Sequence, residues 1–323
     1  MIEYTFLGKT KIKISKIGIG TWQWGTRSWG YGEQYSKADL KEAFDLAVDQ
    51  GINFIDTAEM YGGGLSERLL GEFARKRRDD LVIASKVMPQ HLTYSGVIRS
   101  FKKSAKRLQT DYIDLYYVHW PNPLIPMKWT ARAFLDLYEK RKIRAIGVSN
   151  FSLTRMIKFD KLVNHLLSAN QVRYSLLHRK TEKRLLPYCI KNNITLVAYS
   201  PLDQGAVLGK YNEKNLPKDI WRRANTIFTP INMKRLKPLK EILRSLAQNH
   251  GVKPINIVLR YLIEKNAIPI VGIKNKKQVT DLLSTFDFNL KTNKKKLIDK
   301  TLSNTKIAKI RAYPYVLLRI LRG

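Results

Sequence analysis

Four side chains that can move protons stand at or near the ends of successive apolar runs in this sequence. They are Asp56, Tyr61, Lys86 and His119. A nearby ammonium favours the phenolate form of a tyrosine and lowers its pKa, while a carboxylate keeps that ammonium charged. A tyrosine tuned in this way can give a proton to a carbonyl oxygen. If the run ends meet in the fold, these residue types predict a proton-transfer site.

Each of the four residues also fits an ordinary structural role. Asp56 could cap a turn and Lys86 could face solvent. His119 could be a hydrogen-bonded core histidine, and Tyr61 could pack in a loop. Four suitable residue types at successive run ends are hard to attribute to chance, so the catalytic interpretation is favoured. Its test is whether the elements of the fold bring the four together.

Eight short apolar runs predict buried strands, because most of their successive residues are apolar. Amphipathic stretches between the runs predict helices, and Gly51 stands where the first helix should end. The predicted strands span residues 17–21, 53–57, 81–87, 113–119, 143–149, 169–174, 195–200 and 268–272. The predicted helices span residues 38–51, 65–78, 95–108, 130–142, 153–163, 182–193, 236–250, 254–265 and 275–285.

Regular alternation of strands and helices predicts parallel strands joined by right-handed crossovers. Eight such units predict an α/β fold of the (β/α)8 TIM-barrel class, with chemistry on the loops after the strands. A doubly wound dinucleotide fold would need a third glycine after Gly18 and Gly20 and a helix directly afterwards. Thr21 and Trp22 follow instead, so that alternative is rejected.

Two segments interrupt the alternation. Residues 3–15 predict a hairpin that closes the bottom of the barrel, with its turn at Gly8, Lys9 and Thr10. Residues 202–233 form a long, basic, turn-rich loop, and a loop of that length in a compact domain is usually functional. The sequence predicts one domain over residues 1–323, with a core at about 3–285 and a helical, basic extension at 286–323.

Composition excludes several classes of protein. Of the 323 residues, 44% are hydrophobic, which excludes intrinsic disorder. One cysteine, Cys189, excludes an internal disulfide framework, and the five histidines show no metal-ligand spacing. No apolar run approaches the ~18 residues of a membrane span. The lysine-interrupted start does not resemble a secretory signal, and the sequence predicts a cytoplasmic protein.

The net charge of +33 comes from 59 Lys and Arg residues against 26 Asp and Glu residues. Basic proteins bind phosphate backbones by releasing counterions. Here the cations are spread from Lys9 to Arg322, and no nucleic-acid-binding motif accompanies them. The sequence therefore predicts a solvated basic surface without specific nucleic-acid recognition. Polyanion binding stays open as an alternative.

Several longer motifs resemble aldo-keto reductases in order and spacing, as far as about residue 285. The Trp-rich first loop and the long insertion look most like the bacterial, archaeal and potassium-channel β-subunit branch of that family. The motifs are GIGTWQWG at 18–25, GINFIDTAEMYGGGLSERLLGE at 51–72, DYIDLYYVHWPNP at 111–123, IRAIGVSNF at 143–151, ANQVRYS at 169–175 and YSPLDQG at 199–205.

This resemblance implies an oxidoreductase in which a nicotinamide cofactor delivers hydride to a carbonyl carbon. By match to the motifs, Tyr61 would protonate the oxygen, Lys86 would lower its pKa, Asp56 would pair with Lys86, and His119 would orient the carbonyl. The implied class is an NADP-dependent aldo-keto reductase of the alcohol dehydrogenase (NADP⁺) type. A regulatory, redox-sensing subunit with slow turnover is the alternative.

The resemblance also assigns cofactor residues. Ser149, Asn150 and Gln171 match residues that hold the nicotinamide carboxamide, and Tyr199 matches the ring that stacks on it. Lys274 and the nearby Lys276 and Lys277 offer cations for a 2′-phosphate, which favours NADP over NAD. Leu282 departs from the family, where asparagine is usual. The other matching positions are Gly20, Thr21, Trp22, Asp56, Ser200, Pro201, Leu202, Gly205, Gly272, Gln278 and Asp281.

The substrate is expected to be a small aldehyde or ketone. The pocket is assigned to Trp24, Tyr61, His119 and Trp120, while Trp22, Trp29 and Trp221 either extend its wall or serve as packing residues. The basic tail at 305–323 is expected to pack on its own barrel. The alternatives are self-association and an anionic membrane surface. A homo-oligomer is compatible with the sequence.

Overall fold

The computed structural model describes residues 1–308. Within them, eight parallel strands close into a barrel in the order β10-β3-β4-β5-β6-β7-β8-β9. The barrel strands are β3 (Gly18–Gly20), β4 (Phe54–Asp56), β5 (Val82–Val87), β6 (Ile113–Val118), β7 (Ile143–Ser149), β8 (Leu167–Arg173), β9 (Thr195–Tyr199) and β10 (Ala267–Gly272). All eight predicted strands are confirmed, with ends shifted by one or two residues.

Helices surround the barrel and cover its outer face. They are α1 (Lys37–Asp49), α2 (Leu65–Ala74), α3 (Tyr94–Leu108), α4 (Met127–Glu139), α5 (Leu153–Leu162), α6 (Leu185–Lys191), α7 (Ile220–Arg223), α8 (Pro230–Arg235), α9 (Lys237–Asn249), α10 (Pro254–Glu264), α11 (Lys276–Leu283) and α12 (Thr292–Asn304). The strands are buried on both faces, as parallel strands between a helical layer and a filled interior must be. This is the predicted (β/α)8 architecture.

A hairpin closes the amino end of the barrel, as the sequence predicts. Strands β1 (Tyr4–Phe6) and β2 (Lys13–Ser15) pair antiparallel. Leu7, Ile12 and Ile14 are buried in the cluster that fills the barrel interior. The turn needs glycine at position 8, because φ there is +55° and a Cβ would lie 2.3 Å from the Ser168 carbonyl oxygen.

The long loop after β9 is less irregular than the sequence indicates. It contains α7 and α8, whose first turns are capped by the side chains of Asp219 and Thr229. The predicted helix at 65–78 ends at Ala74, and a 3₁₀ turn covers Arg78–Asp80. Beyond the end of α12, the predicted tail at 305–323 lies outside the described residues from position 309 onward. Among the described helices, none has the length and apolar composition to cross a membrane.

Candidate active site

The Lys86 ammonium is the centre of a buried cluster at the carboxyl ends of β4 and β5. Its Nζ donates to Asp56 Oδ1 at 2.5 Å and to the Thr57 carbonyl oxygen at 2.8 Å, and it lies 3.3 Å from the Tyr61 hydroxyl. An ammonium has three donors, and these contacts use all of them. Lys86 is fully buried, so its position is fixed by the three partners.

The side chains of this cluster meet because they are carried by neighbouring strands and by the turn that follows the first of them. Asp56 is the last residue of β4, and Lys86 lies near the end of the adjacent β5. Tyr61 begins a 3₁₀ turn in which Gly62, Gly63 and Gly64 all have positive φ. Three successive left-handed residues are readily supplied only by glycine. The GGG sequence therefore returns the chain sharply and leaves Tyr61 over Lys86.

The pKa of Tyr61 is set by two opposing effects. Burial raises this pKa above its usual value, and the Lys86 ammonium lowers it, as the sequence predicts, but only partly offsets the burial. The net shift is upward, and the sequence could not indicate it because no local pattern shows how deeply the phenol is buried. Burial also lowers the pKa of Lys86, but attraction to Asp56 and Tyr61 outweighs it and the net shift is upward. At neutral pH the pair is a phenol beside an ammonium.

His119 follows β6 and faces the same cluster. Its ring centroid lies 5.9 Å from that of Tyr61. Its Nδ1 is buried and has no hydrogen-bond partner among the described residues. Burial and the Lys86 ammonium lower the pKa of His119 to about 3, so the imidazole is neutral at physiological pH. A neutral imidazole can donate from one ring nitrogen to a carbonyl oxygen.

The neutral state of His119 predicts a pH profile. Between about pH 5 and pH 8, where an unperturbed histidine titrates, kcat/KM for carbonyl reduction should show no limb from this residue. Its pKa of about 3 puts the charge change below that window. The measurement is kcat/KM against pH for the wild type and for His119→Gln. A wild-type limb near pH 6.5 that disappears in the variant would contradict the assignment.

A second group of predicted residues joins the cluster to β7, β8 and β9. Gln171 Nε2 donates to Asp56 Oδ2 at 2.7 Å. Asn150, with φ of +63°, donates from Nδ2 to the His119 carbonyl oxygen at 3.1 Å and accepts from the Tyr199 hydroxyl at 2.9 Å. These contacts use the Gln171 amide nitrogen and leave its carbonyl oxygen for another donor. The structure thus brings the four residues expected at the carboxamide end to one side of the mouth, with Ser149 beside Asn150.

Lys274, the first predicted cation after β10, already has contacts within the protein. Lys274 Nζ donates to the Trp29 carbonyl oxygen at 2.6 Å and lies 4.5 Å from the Tyr35 ring centroid. Burial, together with repulsion from Arg222 and Lys210, lowers the pKa of Lys274 to about 8. Among its described neighbours, Asp219 acts in the opposite direction. This is a partly buried position where a further anion would be favourable.

The other predicted positions of this stretch have protein partners. Gln278 Oε1 accepts from the Lys274 backbone at 2.7 Å, and Asp281 pairs with Lys253 at 2.5 Å. Lys276 pairs with Glu42 at 3.2 Å. Leu282, which replaces the usual asparagine, is buried in the core. The Asp281 carboxylate is therefore already partly engaged.

A cluster of three tryptophans, Trp22, Trp29 and Trp221, joins the first loop to the long loop after β9. Their ring centroids lie 5.3 to 6.1 Å apart, and Trp221 Nε1 donates to Ser28 Oγ at 2.8 Å. The Arg222 guanidinium lies 5.2 Å from the Trp29 ring centroid. Since β10 lies between β9 and β3, the long loop crosses the end of β10 to make these contacts.

Trp24 does not line the mouth, which corrects its assignment to the substrate pocket. It is fully buried, packs on Phe44 and Phe73, and donates from Nε1 to the Ile273 carbonyl oxygen at 3.1 Å. A turn explains the difference: the Trp24 backbone N–H donates to the Thr21 carbonyl oxygen at 2.9 Å, and Trp22 faces outward with 38% exposure while Trp24 faces the core. Trp120, directly after His119, is 47% exposed.

Sequence reasoning missed the polar residues that support the site. Ser66 Oγ lies 2.7 Å from Thr21 Oγ1 and 3.0 Å from Thr57 Oγ1, which ties the ends of β3 and β4 to α2. Asp203, fully buried in the long loop, contacts His178 Nδ1 at 2.9 Å. In the sequence, the Asp203–His178 contact was indicated only by an aspartate in the turn after β9. Within residues 1–308, no group of three or more His, Cys, Asp or Glu side chains could hold a metal ion.

Comparison with known proteins agrees with this geometry. The model of the aldo/keto reductase family matches residues 16–303. Aldo-keto reductase YhdN of Bacillus subtilis is 34% identical over 318 residues, which cover 94% of this chain and 95% of YhdN.

Two solved structures have the same fold. The glycerol dehydrogenase AKR11B4 from Gluconobacter oxydans is 27% identical with a TM-score of 0.85, covering 95% of this chain and 97% of that one. An aldo/keto reductase from Klebsiella pneumoniae in complex with NADP and acetate is 27% identical with a TM-score of 0.76, covering 96% and 99%. From the matched motifs, the closed barrel and the extent of these similarities, we conclude that the chain belongs to the aldo-keto reductase family.

Proposed function

We propose that this protein reduces a small aldehyde or ketone to an alcohol with NADPH as the hydride donor. The observation that carries the proposal is the Tyr61 hydroxyl 3.3 Å from a buried Lys86 ammonium that is itself bound to Asp56. A reduction of this kind needs a proton donor at the oxygen as the carbon receives hydride. Tyr61, kept as a phenol by burial, has the proton to give.

Each residue of the cluster has a defined task in this scheme. Tyr61 donates its proton to the carbonyl oxygen, and Lys86 stabilises the tyrosinate that remains. Asp56 holds Lys86 charged and in place through the 2.5 Å contact. The neutral His119 orients the carbonyl by a hydrogen bond from its ring.

The residues around the mouth fit a nicotinamide dinucleotide. When bound, NADPH would supply hydride, as the NADP complex of the Klebsiella relative suggests. The free carbonyl oxygen of Gln171 and the hydroxyl of Ser149 would hold the carboxamide, and Tyr199 would lie against the ring. Lys274 would hold phosphate groups together with Arg222 and Lys210, the two cations whose repulsion adds to burial in lowering the Lys274 pKa.

The test is the oxidation of NADPH, followed by its absorbance, with a panel of small aldehydes and ketones. Steady turnover supports the proposal. The tryptophan cluster holds the long loop after β9 against the first loop. This contact favours a second candidate, a regulatory subunit that binds the cofactor and releases it slowly. A single turnover per protein followed by arrest would indicate that candidate. Failure to bind either nicotinamide cofactor would contradict both.

Lys274 provides a prediction about cofactor choice. Lys274→Gln should weaken NADPH binding by about 10-fold to 100-fold, the range for loss of one charge-assisted contact, with little effect on NADH. NADPH affinity of the wild type should also fall as the pH rises above about 8. Phosphate binding favours the protonated form of Lys274, and its pKa before binding is about 8.

Fluorescence titration with both cofactors between neutral and alkaline pH measures these effects. Lys296→Gln is the control, because Lys296 is an exposed cation on α12 and lies outside the stretch assigned to the cofactor. Equal losses for NADPH and NADH in Lys274→Gln would show that Lys274 supports the loop and not the 2′-phosphate.

A further inference from the structure

The exposed sides of α3, α4 and α5 carry a concentration of positive charge that the sequence did not reveal. These helices are neighbours on the outer wall of the barrel. We define their exposed cations as the basic face. Its members are Arg99, Lys102, Lys103, Lys106, Lys128, Arg132, Lys140, Arg155, Lys158 and Lys161. Linear spacing along the chain conceals that these ten cations lie on neighbouring helices.

Few carboxylates oppose this charge. Helix α3 contains none, and of those on α4 and α5 only Glu139 is exposed. Asp136 pairs with Lys140 at 2.8 Å, and Asp160 is buried against His165. Apart from Lys140 and Arg132, which lies 5.6 Å from the Tyr94 ring centroid, the cations of the basic face have no side-chain partner among residues 1–308.

Helix α1 shows that this asymmetry is not a general property of the surface. Its four carboxylates all have partners: Asp39 contacts Ser36, Asp45 pairs with Lys41, Glu42 with Lys276, and Asp49 with Arg77. Three of these four carboxylates are thus neutralised by cations within the described chain. The basic face is left to be neutralised by solvent ions or by a partner.

The spacing on α3 suits a dense line of negative charge. Arg99, Lys102, Lys103 and Lys106 follow the i, i+3, i+4, i+7 pattern of one helical face. At about 1.5 Å per residue they cover about 10 Å. Each strand of double-stranded DNA presents one phosphate charge per about 3.4 Å of axis, or about three over that length. The four cations on α3 are therefore enough to meet every phosphate of the facing strand along the helix.

A cleft extends the basic face to the amino end of the barrel. It has a volume of about 610 Å³ and lies between the hairpin turn and the end of α4, lined by Lys9, Lys11, Arg141 and Arg144 together with Glu139. Arg144 pairs with Asp114, but Lys11 and Arg141 are exposed and have no ion pair within the described chain. The cleft adds positive charge beside the end of α4.

A lipid surface fits this face less well. Interfacial helices insert an apolar side into the bilayer, whereas the apolar side of α3, with Val97, Phe101 and Leu108, is buried in the protein. The exposed large apolar side chains of α3 and α4 within the described chain, Tyr94 and Trp129, stand only in their first turns. We infer that the basic face binds the phosphate backbone of nucleic acid, independently of base sequence.

The experiment compares two variants with equal loss of net charge. One carries Arg99→Gln, Lys102→Gln, Lys103→Gln and Lys106→Gln on α3. The control carries Lys237→Gln, Arg244→Gln, Lys296→Gln and Lys300→Gln, exposed cations of α9 and α12 without an ion pair among residues 1–308. Binding to a short mixed-sequence DNA duplex is followed by fluorescence anisotropy between about 50 and 200 mM salt. Circular dichroism and thermal unfolding confirm that both variants are folded.

The α3 variant should bind at least ~100-fold more weakly at the lowest salt concentration, and the slope of log K against log salt should fall by about 3, since about three phosphate contacts are lost and each contributes about 0.9. The control should stay near the wild type. Equal losses in both variants would show an effect of net charge and overturn the proposal. So would binding of the wild type to phosphatidylserine vesicles or polyglutamate as tightly as to the duplex. If the α3 variant is unfolded, Arg155→Gln, Lys158→Gln and Lys161→Gln on α5 are compared with Lys237→Gln, Arg244→Gln and Lys300→Gln, which remove the same charge, and that comparison decides.

Discussion

Tyr61→Phe should reduce the turnover of carbonyl reduction by about 100-fold or more, because a positioned general acid contributes roughly 10² to 10⁴ in rate. The substitution removes one hydroxyl, which is the atom that lies 3.3 Å from Lys86 Nζ. NADPH affinity should change little, since the ring and its backbone turn remain. Steady-state NADPH oxidation gives the turnover, and fluorescence titration gives the affinity.

Tyr261→Phe is the matched control for this change. Tyr261 is fully buried, and its hydroxyl donates to Asp299 at 2.6 Å on the outer helical layer. Loss of that hydroxyl should lower stability by about 1 kcal/mol and leave turnover near the wild type. A positioned acid contributes at least about 100-fold in rate. If Tyr61→Phe kept more than about a tenth of the wild-type turnover, the loss would be smaller than that contribution, and another group would have to supply the proton.

Lys86→Met should have the largest effect on stability. The Lys86–Asp56 pair is fully buried, and removing one partner of such a pair costs about 3 to 5 kcal/mol because the other charge is left without compensation. Turnover should fall as well, since the tyrosinate loses its stabilising ammonium. Chemical denaturation measures the free energy of unfolding, and NADPH oxidation measures the rate.

An exposed pair of the same length provides the comparison. Lys41 Nζ lies 2.5 Å from Asp45 Oδ2, the same distance as in the buried pair, with both side chains more than a third exposed. Lys41→Met should cost about 0.2 to 1 kcal/mol and leave the rate unchanged. Similar losses in the free energy of unfolding for Lys86→Met and Lys41→Met would mean that the buried Lys86–Asp56 pair contributes no more than a surface ion pair.

Much of the site follows from local sequence patterns. Asp56 and Lys86 could be placed because each stands at or near the end of an apolar run, and parallel strand ends meet at one edge. The hairpin was predictable from alternation around Gly8. Helices α7 and α8 were not, since each is only a turn or two long and depends on caps at Asp219 and Thr229 more than on periodicity.

Properties set by burial could not be predicted in the same way. The upward shift of the Tyr61 pKa depends on the depth of the phenol in the barrel, which no local pattern encodes. The inward orientation of Trp24 depends on the packing of Phe44 and Phe73 against the first loop. The basic face likewise depends on which side of each helix the barrel covers.

The tryptophan cluster makes the position of the long loop visible to spectroscopy. Three of the six tryptophans of the chain, Trp22, Trp29 and Trp221, belong to it. Indole emission depends on stacking and on nearby cations, and the Arg222 guanidinium lies against the Trp29 ring. Separation of the first loop from the long loop would break both contacts at once. The emission of the unmodified protein therefore reports on opening of the mouth, and no dye has to be attached near the site.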